Sequence, residues 1–116
     1  MKVEDFRLEV EEECRRQGLP KPEIMEERPG SIKLRISLAR DAHIDLYFNE
    51  DTKTITSALV VNGKRVFGIN GYPRVGQWHL HPKGDAQKHV RTTPMTIERI
   101  MKEYSKAISK LKIKRM

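Results

Sequence analysis

Ser31-Ile32-Lys33-Leu34-Arg35-Ile36-Ser37-Leu38 alternates polar and apolar side chains without a break. In an extended chain successive side chains point to opposite sides, so Ile32, Leu34, Ile36 and Leu38 share one face. The opposite face is wet and basic. After Ala39-Arg40-Asp41-Ala42 the alternation resumes, with Ile44, Leu46 and Phe48 against His43, Asp45 and Tyr47. The two segments are expected to pair as a hairpin. Asn49-Glu50-Asp51-Thr52 is a second turn, followed by a strand from Lys53 to Val61. The end of that strand, Ala58-Leu59-Val60-Val61, is continuously apolar and predicts a central strand covered on both faces.

Asn62-Gly63 is the strongest turn signal, because both residues tolerate the positive φ of a type I′ hairpin. A fourth strand is expected over Lys64 to Asn70. Gly71, Pro73 and Gly76 then interrupt the pattern before a short strand from Val75 to Leu80. The whole reads as an α+β fold: an antiparallel β-meander of four to five strands over about residues 31–81, within one domain spanning 1–116. Lys21 to Gly30, with Pro22 and Pro29, reads as a connector holding at most a short edge segment at Ile24-Met25.

Helices are expected at both ends. Val3, Phe6, Val10 and Cys14 form one stripe of a helix over about 3–17, opposite Glu4, Asp5, Glu9, Glu12 and Glu13. Gly18 supplies a left-handed residue after it, Leu19 folds back on the stripe, and Pro20 prevents continuation. Cys14 on that stripe reads as a small buried hydrophobe. The second helix is expected over about 94–112, with Thr93 as N-cap and Pro94 at the first helical position. Its apolar face is Ile97, Ile100, Met101, Tyr104, Ala107, Ile108 and Leu111. Two single-striped helices and a half-buried sheet predict both helices on one face of the sheet.

A chain of 116 residues buries a core without metal or disulfide staples, and its one cysteine, Cys14, forms no internal disulfide. That fits a reducing interior. No apolar run approaches the roughly 20 residues of a membrane span, and the acidic start lacks the apolar core of a signal peptide. The expected location is the cytoplasm. The formal net charge of +7 is unevenly spread: residues 1–28 carry 6 Lys/Arg against 9 Asp/Glu, and the rest carry 17 against 7. A basic body with an acidic N-terminal arm fits contact with RNA or another polyanion, and equally a densely charged surface kept for stability.

The chemistry concentrates in Gln77-Trp78-His79-Leu80-His81-Pro82, continued to His89. Residues two apart on a strand share a face, so His79 and His81 project together while Trp78 and Leu80 face the core. Trp78 reads as a core anchor. His43, alone on the polar face of its strand, reads as surface. Three readings of the cluster stand side by side. His79 and His81 could chelate a divalent metal such as zinc, with His89 or Asp85 completing an open site. The same three histidines could do metal-free acid–base chemistry, with Lys83, Lys88 and Arg91 contacting phosphate. They could also only hydrogen-bond locally at a strand end.

His79-Leu80-His81-Pro82 resembles the His-x-His-Pro core of JAB/MPN-type zinc isopeptidases. Where that motif places a serine and an aspartate, this chain has His89 and Thr92. Over residues 31–110 the chain is also similar to the TumE-like family of prokaryotic toxin–antitoxin proteins. The similarity is carried by Trp78, His79, His81, Pro82, His89 and Val90 ahead of a C-terminal amphipathic helix. That resemblance implies a small cytoplasmic protein that cleaves or binds RNA and pairs with an antitoxin. The competing expectations are a metal-dependent hydrolase using the same histidines and a non-enzymatic interaction module. A homodimer would cover the open edges of the meander.

Overall fold

A computed structural model describes residues 1–82 and 90–113. The fold is α+β. Along the chain, an N-terminal helix α1 (Val3–Arg16) precedes and a C-terminal helix α2 (Ile97–Lys110) follows a seven-stranded antiparallel sheet in strict sequential order. The strands are β1 (Glu23–Arg28), β2 (Ser31–Ala39), β3 (Ala42–Asn49), β4 (Ile55–Val61), β5 (Lys64–Tyr72), β6 (Gln77–His81) and β7 (Val90–Arg91). A single 3-10 turn at Pro73–Val75 joins β5 to β6.

The count of four to five strands is therefore corrected to seven. The residues expected to be a connector form β1, whose six residues are all exposed. With no buried side, it shows no alternation of polarity. Strand β7 adds two residues beyond the expected end of the sheet. The Ala58–Val61 end of β4 is central, as expected, but of its four residues only Leu59 is buried and the others are half-buried. Its second face is not packed against either helix.

Cross-strand register fixes what each face carries. Ile32, Phe48, Ile55, Gly71 and Trp78 lie in one row, and Leu34, Leu46, Ser57, Ile69 and Leu80 in the next. Both helices pack on this side. Phe6 of α1 stacks on Phe48, with ring centroids 4.7 Å apart and nearly parallel planes. Tyr104 of α2 meets Phe67 edge-on at 5.3 Å. Its hydroxyl donates to Ser57 Oγ at 2.7 Å, and Ser57 Oγ donates to the Ile69 carbonyl at 2.6 Å. An unpaired buried hydroxyl would cost about 1–3 kcal/mol, so this chain of bonds is what lets a tyrosine sit in the centre of the core. Burial holds the Tyr104 phenol in its neutral form by raising its pKa, and the Ser57 contact acts in the opposite sense.

Helix α1 ends as its sequence predicts. Gly18 has φ +69°, Leu19 N–H donates to the Cys14 carbonyl at 2.8 Å, and Leu19 is buried. The acids of α1 are met by arginines on the same helix: Arg7 bridges Glu4 and Glu11, Arg15 pairs with Glu12, and Arg16 with Glu12 and Glu13. The start of α2 is corrected. Thr96, not Thr93, is the N-cap, and its Oγ1 accepts from Arg99 N–H at 3.1 Å. Helical backbone therefore begins at Ile97 and runs to Lys110, shorter at both ends than the expected 94–112. Among the described residues no helix is long and apolar enough to cross a membrane.

Candidate functional site

The sheet face turned away from the helices carries the polar side chains of β2 to β7. One cross-strand row runs Lys33, Tyr47, Thr56, Asn70, His79 and Arg91. The neighbouring row runs Arg35, Asp45, Ala58, Gly68 and His81. The two histidines thus share this face, roughly 7 Å apart at Cα. Trp78 lies on the opposite, core face, and Leu80 packs against the core beside it. The expected geometry of the pair is found.

Trp78 is held by a missing side chain. A methyl group at Gly71 would stand 2.5 Å from the indole, well inside contact distance, so the ring lies flat on the Gly71 backbone and pins β6 to β5.

The two histidines have different surroundings. His81 is only 4% exposed, which is unusual for a polar residue on an open sheet face. It sits over Gly68, where an added Cβ would be 3.6 Å from His81 Cδ2 and 2.9 Å from the Ser57 carbonyl oxygen. Asn70 Nδ2 lies 3.4 Å from His81 Nε2. The orientation of that amide is set independently, because Ser57 N–H donates to Asn70 Oδ1 at 3.2 Å. With the oxygen so engaged, the nitrogen must face the ring and donate to it. His81 Nε2 is then an acceptor, and the neutral ring carries its proton on Nδ1. His79 is half-buried, and its ring lies 6.4 Å from that of Tyr72 at a tilt of 58°.

Arg91 stands directly across the ladder from His79, and Thr92 N–H secures this junction by donating to the Trp78 carbonyl at 2.9 Å. His89, Lys83 and Lys88, together with Asp85, lie outside the described residues. Among the described residues no three His, Cys, Asp or Glu side chains converge as a metal-binding group. His43 is on the same sheet face, with Nε2 3.4 Å from Asp45 Oδ2. Arg35 forks onto both oxygens of Asp45 at 2.8 and 3.2 Å, and that contact raises the guanidinium pKa further.

Two neighbours of the histidines were not singled out from the sequence, Asn70 and Tyr72. Both sit at polar positions of β5, but only the β5–β6 register reveals which histidine each one meets. Cys14, by contrast, is the inert buried thiol expected: burial pushes its pKa up to about 12, with Glu11 and Glu13 adding to the effect.

No protein-family model matches this chain, and no curated protein or solved structure matches it either.

Proposed function

We propose that this chain is an RNA-directed protein of the TumE-like kind, cleaving RNA by metal-free acid–base catalysis at His79 and His81. The observation that carries the reading is the placement of two imidazoles side by side on one polar sheet face, with Arg91 across from His79. His81 takes the proton of a ribose 2′-hydroxyl at Nε2, which requires that hydroxyl to displace the long 3.4 Å Asn70 contact there. The 2′-oxygen then attacks phosphorus, the bond to the 5′-oxygen breaks, and His79 returns a proton to that leaving oxygen. Arg91 bears on the charge that builds on the phosphoryl oxygens. Lys83, Lys88 and His89 are the remaining members of the proposed site, and a cognate antitoxin is its proposed protein partner.

The test uses the purified chain, a mixed-sequence single-stranded RNA, and the same oligonucleotide with 2′-deoxyribose throughout. Cleavage of RNA alone, leaving 2′,3′-cyclic phosphate and 5′-hydroxyl ends and persisting in EDTA, is expected. His79→Ala and His81→Ala should each slow it by at least about a hundredfold. Absence of cleavage by the unsubstituted chain, or undiminished cleavage by both variants, would remove the catalytic reading.

A further inference from the structure

We propose that the concavity beside the histidines is a track for single-stranded RNA, with unpaired bases stacking on Tyr47 and Tyr72 and phosphates held by Lys33 and Arg65. The inference deepens the RNA reading of His79 and His81 and rests on it. The concavity is open, about 470 Å³ in volume, and lies on the sheet face away from the helices. Lys33, Tyr47, Thr56, Arg65, Asn70 and Tyr72 line it. It is continuous with the candidate site, since Asn70 reaches His81 and the Tyr72 ring neighbours that of His79.

Charge and shape both favour a nucleic acid strand. Among the described lining residues Asp45 is the one acid, and Arg35 already engages both of its oxygens. Lys33 and Arg65 are exposed and leave the track net positive. Both tyrosine rings are half-buried, fixed enough to stack against and open enough to be reached. Asn49 Nδ2 donates to the Tyr47 hydroxyl at 3.5 Å, a long bond that restrains that ring. By register the two tyrosines are two strands and two residues apart, roughly 12 Å, so each takes its own base. A duplex hides its base faces in its own stack and would offer these rings nothing but phosphate. A sheet face bearing aromatic side chains binds unpaired bases instead.

The test separates binding from cleavage. A fluorescent ten-nucleotide RNA, 2′-O-methylated so that it resists cleavage, is titrated with the full chain and with the His79→Ala/His81→Ala double variant. Both should bind, and in both the binding should depend on Tyr47 and Tyr72. Tyr47→Ala and Tyr72→Ala should each weaken binding at least about fivefold, and Tyr→Phe at either position should restore it. Lys33→Ala and Arg65→Ala should weaken binding and reduce its salt dependence. A blunt duplex of the same sequence should compete at least tenfold less well. Binding indifferent to all four alanine substitutions, or a duplex that binds as tightly as the single strand, would overturn the track. Absence of cleavage by the unsubstituted chain while its tyrosine-dependent binding persists would overturn the catalytic reading alone. Cleavage with unchanged KM in the Tyr47→Ala/Tyr72→Ala variant would overturn the track and leave catalysis standing.

Discussion

Asn70 acts on the site through its amide geometry. Its oxygen receives the Ser57 N–H, so its nitrogen is presented to His81 Nε2, and the ring must answer with a lone pair. Gly68 makes the same arrangement sterically possible, since any side chain there would press on the Ser57 carbonyl 2.9 Å away. A nearly buried imidazole with a fixed tautomer is a better-defined proton acceptor than one that exchanges both nitrogens with water. In long-range 15N–1H NMR spectra of the neutral ring, His81 should therefore show its proton on Nδ1. Asn70→Leu removes the donor while keeping bulk, and the His81 pattern should move towards the Nε2–H form. An unchanged pattern in the variant would show that Asn70 does not set the tautomer.

At the level of elements, the sequence was readable wherever one side of an element is buried. The stripes of α1 and α2 and the alternation of β2 and β3 report a real core face, and both helix-side faces were recovered from period alone. Strand β1 was readable only as a short edge segment at Ile24-Met25, because an edge strand exposed on every residue has no reason to alternate. The onset of α2 was misplaced because Thr93-Pro94 and Thr96 both offer a capping hydroxyl, and only the bond to Arg99 N–H decides between them. The histidine pair was legible from i, i+2 spacing. Its neighbours Asn70 and Tyr72 were not, since a cross-strand partner depends on a register that two glycines and a 3-10 turn obscure. One of those glycines makes an element-level prediction. Gly71→Ala forces a methyl group into the Trp78 ring, and β6 must shift or the ring must leave its rotamer. The variant should lose about 1–3 kcal/mol in urea unfolding, with altered emission from Trp78, the chain's one tryptophan. Wild-type stability and emission would mean that the ring does not need the bare backbone beneath it.

Across the whole molecule, both helices and the sheet share one core, into which α1 sends the thiol of Cys14 and α2 the phenol of Tyr104. Burial raises the pKa of both, the thiol to about 12 from an ordinary value of 9.0. Each group is neutral in the folded chain at pH values where the unfolded chain has already released its proton. Stability is thus fully present below the ordinary pKa and declines as pH rises towards the folded-state value. From about pH 9 each added pH unit should cost about tenfold in the folding equilibrium through Cys14, and a second factor should join through Tyr104 above its ordinary value of 10.0. Because the two groups lie in a common core, the loss should be a single event. Trp78 emission from β6 and far-ultraviolet circular dichroism of the helices should fall together in alkaline titration. Cys14→Ala is less stable at neutral pH for loss of packing, but its stability should decline less steeply between pH 9 and 10. An identical slope in the variant, or helix signal lost well before the Trp78 change, would show that the core is not one cooperative unit.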